Sequence, residues 1–216
     1  MLFGSISYLN LLPFQLFLKR RLRHSSAQMA FRYKRAVPSR INTALRRGEI
    51  HAAFVSSVHS PRFRCTDLGI IAERKVYSVF VLPGEEAPDP ASETSNRLAR
   101  VLGLHGRVLI GDAALRYYLD GGEGVDLAEA WHAQTGLPFV FARLCYTRHG
   151  AAIERLAREF ARTRVRIPRT VLKREASKRG ITPEQLTWYL EHIHYTLDWR
   201  ARRGLRRFLR ADYPQS

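Results

Sequence analysis

The side chains of this sequence that could do chemistry are mostly hydroxyls, with one amide, at the ends of predicted strands. Ser7 and Asn10 follow a short apolar strand at the N-terminus, and Ser56-Ser57 follow a later one. Ser78 interrupts another apolar run. Such groups donate and accept hydrogen bonds but are weak acids and bases. The pattern therefore predicts a site that holds a polar or anionic molecule.

The sequence shows no spacing typical of a nucleophilic, metal or nucleotide site. It has no Gly-rich phosphate loop, no Gly-x-Ser-x-Gly turn, no His-Glu-x-x-His pair and no paired-cysteine metal signature. His192 and His194 are two residues apart on a predicted helix, so they point to different faces. Asp112 follows Gly111 at a predicted strand end, where it could cap the next helix or face a cleft. These patterns indicate no metal site.

The composition indicates a folded protein without a membrane span. Of the 216 residues, 45% are hydrophobic, which allows a substantial core in one domain or two small lobes. No window approaches 18 apolar residues, so we expect no membrane insertion. Tyr8, Asn10 and Pro13 interrupt the first apolar run, unlike an export signal, which favours a cytoplasmic protein. Cys65 and Cys145 are interpreted as buried apolar side chains, although their spacing neither supports nor excludes a contact.

The formal net charge is +17, and the basic excess is concentrated at the C-terminal end. Residues 143–216 hold 18 of the 36 Lys and Arg but only 7 of the 19 Asp and Glu. Such a face could attract nucleic acid, a membrane surface or an acidic partner. It could equally be a solvated surface, since 31 of the 36 basic residues are Arg, spread over predicted helices.

The first part of the chain predicts a β-α-β-α-β order. Its elements are a strand at 2–6, a helix after Pro13, a strand at 29–35, a helix from Pro38 to Gly48 and a strand at 50–55. In a doubly wound sheet, ligands bind outside the carboxyl ends of the strands. Ser7, Asn10, Ser56 and Ser57 would share that rim.

A second unit follows, and the C-terminus is helical. The predicted elements are strands at 68–72, 76–82 and 108–110, a helix capped by Thr94 or Ser95, a helix from Ala113, a strand ending near 146, and helices at 151–160, 168–178, 183–195 and 199–209. Thr182 to Gln185 form a capping box with proline at the first helical position.

Five blocks of the chain together resemble the chorismate dehydratases of the futalosine route to menaquinone. They are Ser7-Tyr8-Leu9-Asn10-Leu11-Leu12-Pro13-Phe14, Val76-Tyr77-Ser78-Val79, Thr94-Ser95, Ile110-Gly111-Asp112-Ala113-Ala114-Leu115 and Thr135-Gly136-Leu137-Pro138-Phe139-Val140-Phe141-Ala142. The blocks occur in the family's order over the first two thirds of the chain. Between Ser95 and Ile110 this chain has one short helix where most members are longer, so a shortened second lobe is expected.

The resemblance implies an α/β fold like the type II periplasmic binding proteins, with two lobes, a cleft between them and a helical C-terminus. Lobe one would comprise residues 1–83 and 141–216, and lobe two residues 84–140. The chain would be a lyase that removes water from chorismate, with no cofactor. Asn10 and Ser78 are the implied catalytic residues. The substrate-binding candidates are Ser7, Ser56, Ser57, Thr94, Ser95, Gly111 and Asp112.

Two other functions remain open at this point. A protein of the same fold could bind a small acid without turnover. Alternatively, residues 171–193 have the spacing of a helix-turn-helix, with Gly180 between two helices, and could bind nucleic acid. The same turn occurs in ordinary helical hairpins, so we regard nucleic acid as an unlikely partner. The sequence indicates no oligomeric state.

Overall fold

The computed structural model describes residues 2–5, 8–22, 32–35 and 38–211. In chain order its elements are β1 (Leu2–Ser5), α1 (Leu12–Leu22), β2 (Arg32–Arg35), α2 (Pro38–Arg46), β3 (Ala52–Ser56), β4 (Arg64–Ala72), β5 (Val79–Leu82), α3 (Glu93–Val101), β6 (Arg107–Ile110), α4 (Gly111–Leu119), β7 (Val125–Asp126), α5 (Leu127–Thr135), β8 (Phe139–Tyr146), α6 (Gly150–Ala161), α7 (Arg169–Ser177), α8 (Pro183–Glu191), β9 (His194–Thr196) and α9 (Trp199–Arg210). Short 3-10 turns lie at Leu9–Leu11 and Ser60–Arg62.

The larger sheet has six strands in the order β2-β1-β3-β8-β4-β9. Strand β1 runs parallel to β2 and β3, as the predicted β-α-β-α-β order requires. Strand β8 returns the chain into the middle of this sheet and is antiparallel to both β3 and β4. We call this sheet with α1, α2, α6 and α9 the first lobe. Helix α9 packs on β8.

The smaller sheet has the order β6-β5-β7, and its strands are antiparallel. Helices α3, α4 and α5 pack against it, and together they form the second lobe. The expected lobe boundary at residues 83/84 needs correction, because it assigns Val79–Leu82 to lobe one. That strand is central in the smaller sheet, so the chain crosses between the sheets at 73–78 and returns at 136–138.

Three local expectations differ from the structure. The N-cap of α3 is Ser92, whose hydroxyl accepts from the Ser95 N–H, rather than Thr94 or Ser95. The strand expected at 76–82 starts at Val79, because the N–H groups of Val76 and Tyr77 bond to Asp126 instead. The helix expected to reach residue 195 ends at Glu191, since residues 194–196 form the edge strand β9, which pairs with β4.

The cysteines were interpreted as buried apolar side chains, with a contact between them left open, and the structure shows that they are bonded to each other. Cys65 on β4 and Cys145 on β8 stand opposite each other in the antiparallel ladder and form a disulfide. The two residues are 80 positions apart in sequence, and only the register of the two strands brings them together.

No helix in the described part of the chain is both long enough and apolar enough to cross a bilayer. The helices instead bury one face each. In α9, for example, Ala201, Gly204, Leu205 and Phe208 are buried while the intervening arginines point outward.

Candidate active site

A cleft lies between the two lobes, and the space between its walls, including the part open to solvent, is about 660 Å³. It is lined by Tyr8, Asn10, Leu11, Phe54, Ser56, Ile70, Val76, Ser78, Val79, Ala91, Ser92, Ser95, Ile110, Gly111, Phe141 and Ala142. The structure thus brings together five of the candidates expected from the sequence, namely Asn10, Ser56, Ser78, Ser95 and Gly111. They come from both lobes and from the crossing segment.

The C-terminal part of the chain contacts the backbone of Asn10. It lies in the 3-10 turn Leu9–Leu11, whose two leucines are buried. The Tyr195 hydroxyl donates to the backbone carbonyl of Asn10 at 2.6 Å. Because this bond fixes the backbone, the Asn10 side chain is presented to the cleft from a rigid turn.

Ser78 owes its position to a buried carboxylate. One oxygen of Asp126 accepts from the N–H groups of Val76 at 3.0 Å and Tyr77 at 2.8 Å. Its other oxygen caps α5 by accepting from Ala128 at 2.9 Å. Tyr77 has a φ of +58°, a conformation that is costly for a residue with a β-carbon. Burial raises the pKa of Asp126, while its four backbone hydrogen bonds act to lower it. Asp126 therefore holds a strained turn that aims Ser78 into the cleft.

Tyr189 on α8 joins the two expected catalytic residues. Its hydroxyl lies 3.0 Å from Ser78 Oγ, and it also hydrogen-bonds to the Asn10 side chain. Tyr189 is only 2% exposed, and burial raises the pKa of its phenol. Sequence patterns alone do not distinguish Tyr189 from an ordinary core aromatic residue, because it lies on the apolar face of a predicted helix.

The other serines of the cleft are also oriented by neighbours. Asn42 on α2 donates to Ser56 Oγ at 3.1 Å. In the second lobe the Ser92 hydroxyl donates to Ser95 Oγ at 2.8 Å at the start of α3. Ser92 was not among the sequence candidates, although it stands next to a predicted helix start. These hydroxyls form polar parts of the cleft wall in both lobes.

Three sequence candidates do not line the cleft, because their polar groups are used within the protein. Ser57 Oγ donates to the Val140 carbonyl. Thr94 Oγ1 accepts from the Val58 N–H at 3.3 Å. Both side chains are buried, and they join the lobes or neighbouring strands. Ser7 lies outside the described residues.

Asp112 is the third of these candidates, and it links the second lobe to the first. Its Oδ1 accepts from the Leu9 N–H at 3.2 Å, and its Oδ2 accepts from Arg179 Nε at 2.7 Å. Arg179 in turn bonds to Glu175 on α7 at 2.8 Å. Of the two roles left open for Asp112, neither is seen, because the residue does not line the cleft and does not cap its own helix. The side chain instead ties α4 to the turn that carries Asn10.

Gly111 is required where the second lobe meets Tyr8. Its φ is +68°, and a β-carbon there would lie 2.9 Å from Tyr8 Cε1. Its N–H donates to the Ser78 carbonyl at 2.7 Å. The close approach explains why a glycine stands at this strand end.

The residues that line the cleft carry no charged side chain, but the cleft is nevertheless suited to an anion. Helices α3 and α4 both begin at the cleft, with Ser92, Ser95 and Gly111. The positive ends of helix dipoles and free N–H groups stabilise negative charge. Phe54, Ile70 and Phe141 supply an apolar surface on which a ring could lie.

Helix α8, the second helix of the helix-turn-helix candidate, packs with one face on the segment that crosses between the lobes. The Trp188 ring lies on Tyr77 with 4.6 Å between centroids, and Leu186 and Tyr189 are buried. This face of α8 therefore supports the cleft, and nucleic-acid binding by residues 171–193 stays a prediction.

The architecture matches solved structures that are distant in sequence. A protein of Archaeoglobus fulgidus superposes with a TM-score of 0.67 at 13% identity, over 96% of this chain and 94% of that one. The periplasmic aliphatic sulphonate binding protein SsuA of Escherichia coli superposes with a TM-score of 0.55 at 14% identity, over 97% and 90%. The fold and cleft therefore define a protein of the periplasmic-binding-protein architecture, as expected from the sequence.

Sequence similarity is more specific. The menaquinone biosynthesis family matches residues 1–107 and 99–213. A chorismate dehydratase of Campylobacter jejuni is 38% identical over 216 residues, which cover 98% of this chain and 97% of that protein. The chain belongs to the menaquinone biosynthesis family. A chorismate dehydratase of Thermus thermophilus is 28% identical over 243 residues, covering 88% of this chain and 90% of that protein.

The Campylobacter protein aligns almost end to end with this chain. The alignment with the Thermus protein is longer than this chain while covering only part of it, and it therefore contains insertions.

Proposed function

We propose that this protein is a chorismate dehydratase, a lyase that converts chorismate to 3-[(1-carboxyvinyl)oxy]benzoate and water in the futalosine route to menaquinone. The observation that carries the proposal is the meeting of Asn10 and Ser78 at one buried phenol beside an uncharged cleft. The family membership and the two dehydratase relatives support it. A biosynthetic role of this kind fits the cytoplasmic location expected from the sequence.

Chorismate is a dianion with a cyclohexadiene ring, and the cleft offers polar and apolar surfaces for these two parts. The hydroxyls of Ser56 and Ser95 and the N–H groups at the start of α3 and α4 are the proposed partners of its carboxylates. The apolar side chains Phe54, Ile70 and Phe141 would contact the ring. This arrangement separates the charged ends of the substrate from its reacting carbons.

The reaction takes the hydrogen from C3 and the hydroxyl from C4, and the product ring is aromatic. Because aromatisation makes the elimination strongly downhill, positioning and charge stabilisation suffice, and we propose that no cofactor takes part. Asn10 is no base, so its role is to orient the substrate or bind the departing hydroxyl. The enolpyruvyl carboxylate of the substrate is the proposed base, held in reach of C3 by Asn10 and Ser78.

The test is to incubate the purified protein with chorismate alone and to follow substrate and product by chromatography. Formation of the carboxyvinyloxy-benzoate faster than in a protein-free sample is the expected result. Ser78→Ala should slow it strongly. Ser60→Ala is the matched control, because Ser60 is also buried but donates to the Ser57 carbonyl at 2.9 Å, away from the cleft.

Binding of chorismate without turnover would contradict the proposal and identify a solute-binding protein of the same fold. Asn10→Ala at the parental rate would remove Asn10 from the mechanism while leaving the reaction itself established.

A further inference from the structure

Tyr8 is the ionisable side chain of the cleft. No other residue that lines the cleft in the described part of the chain has an ionisable side chain. Its hydroxyl makes no hydrogen bond to any residue that the structure describes. Ser56 and Ser95 each accept a hydrogen bond from a protein neighbour, and Asn10 and Ser78 are both joined to Tyr189. Tyr8 thus offers a donor that a ligand can use.

Both the backbone and the ring of Tyr8 have defined contacts. The residue immediately precedes the 3-10 turn of Asn10, and its backbone carbonyl accepts from the Leu11 N–H at 3.1 Å. On the other side its ring lies against Gly111, at a position that leaves no room for a β-carbon. The hydroxyl is therefore carried by a fixed ring between the two lobes, two residues from Asn10.

The surroundings keep the phenol protonated. Burial, together with the negative charges of Asp89 and Asp112, raises the pKa of Tyr8 to about 12. The hydroxyl is accordingly a hydrogen donor throughout the neutral range. It remains a stronger acid than water, whose pKa in bulk is about 15.7, so it can protonate a departing hydroxide.

Resting on the proposed function, we propose that Tyr8 is a further catalytic residue, whose phenol gives its proton to the hydroxyl that leaves C4 of chorismate. Hydroxide is a poor leaving group, and a positioned acid turns it into water as the bond breaks. The other polar side chains that line the described cleft are serines and one asparagine, which are weaker acids than a phenol.

The step balances without any outside reactant. The C3–H bond breaks and its proton goes to the enolpyruvyl carboxylate, while its electron pair forms the C3–C4 double bond. The C4–O bond breaks with its electron pair on oxygen, and this oxygen takes the proton of Tyr8 to become water. The proton on the carboxylate then returns to the phenolate, which restores both groups.

The first experiment compares Tyr8→Phe with the parent. The Phe ring keeps the packing on Gly111, so the fold should be retained, as checked by circular dichroism and melting temperature. We expect kcat to fall about a hundredfold to a thousandfold, with little change in KM. Tyr117→Phe is the control, because its hydroxyl donates to the Glu123 carbonyl at 3.0 Å outside the cleft, and it should keep the parental rate.

A fluorinated tyrosine placed at position 8 separates catalysis from structure. It keeps the ring and the hydroxyl but has a more acidic phenol. Activity should be retained, and its loss at alkaline pH should begin at lower pH than in the parent, since the donor is lost once it ionises. Asp89 and Asp112 are unchanged in this protein, so the shift reports the phenol itself.

Two results would overturn the role of Tyr8. One is an unchanged kcat in Tyr8→Phe, with or without a raised KM. The other is an alkaline limb that does not move with the fluorinated residue. Absence of turnover by the parent protein is seen before any variant is made, and it would remove the proposed function and this role together.

Discussion

Ser78 Oγ lies 3.0 Å from the Tyr189 hydroxyl, which also contacts the Asn10 side chain. Asn10 follows the first strand, Ser78 lies at the crossing into the second lobe and Tyr189 belongs to the C-terminal part. One buried phenol thus sets the distance between two groups that are remote in sequence. Since catalytic groups act only when they are correctly placed, we expect Tyr189 to be a positioning residue for the two proposed catalytic groups.

Tyr189→Phe should lower kcat about tenfold, because the hydroxyl that orients Ser78 and Asn10 is lost while the ring still fills its site. KM should change less. Tyr146→Phe is the control, since the Tyr146 hydroxyl donates to Glu154 at 3.2 Å, away from the cleft. Steady-state kinetics on chorismate measure both variants. Equal rates for parent and Tyr189→Phe would show that Ser78 and Asn10 keep their positions without this bond.

Gly111→Ala should reduce activity as well as stability. The φ of +68° strains any other residue there, and the new methyl group would meet the Tyr8 ring. Gly121→Ala is a matched control, because Gly121 also has a positive φ, +85°, but has open space around it. Both variants should unfold at lower urea concentration. Only Gly111→Ala should lose kcat, and similar kinetics for the two would contradict the close contact with Tyr8.

The stability of the protein should fall in acid through Glu175. Burial alone would raise the pKa of Glu175, but hydrogen bonds from Arg174, Lys178 and Arg179 outweigh it and lower the pKa to about 2 from its ordinary 4.5. Because the folded pKa is depressed, this stabilisation is complete above about pH 4.5 and is lost as the pH falls toward 2.

Urea unfolding at a series of pH values tests the contribution of Glu175. The free energy of unfolding should fall less steeply below pH 4.5 in Glu175→Gln than in the parent. Glu123→Gln removes the same charge from an exposed loop and should follow the parent curve. Parallel curves for all three proteins would show that Glu175 gains nothing from its partners.

The Cys65–Cys145 disulfide should be present in the purified protein. Alkylation in denaturant without reductant should label neither cysteine, and prior reduction should expose two thiols, as read by mass spectrometry. Reduction should also lower the free energy of unfolding, by about 4 kcal/mol if loop closure over this span accounts for the whole effect. Labelling of both cysteines before reduction would contradict the bond.

Local signals explain why much of the fold could be predicted. The capping box of Thr182 and Gln185 is present, and Gly48, with a φ of +72°, follows α2. Each depends on residues within a few positions, so the sequence shows it directly. The order of strands and helices in the first lobe follows from the same kind of pattern.

The division of roles among the polar residues did not follow from such signals. Ser56 and Ser57 are neighbours, yet Ser56 lines the cleft while Ser57 bonds to the Val140 carbonyl. The choice depends on which face of β3 and its turn meets β8, since successive side chains of a strand point to opposite sides. At the start of α3, similarly, Ser95 lines the cleft while its neighbour Thr94 accepts from the Val58 N–H.

By itself, then, the sequence determined the α/β class, the family and a set of candidates that includes Asn10 and Ser78, because these depend on local pattern and on motifs. Only the tertiary structure decided which of them share a cleft, that Tyr189 contacts Ser78 and Asp126 contacts the two residues before it, and that Cys65 and Cys145 form a disulfide. The decisive contacts join residues 111, 50 and 80 positions apart. Contacts at such distances arise from the packing of whole elements, which no short stretch of sequence specifies.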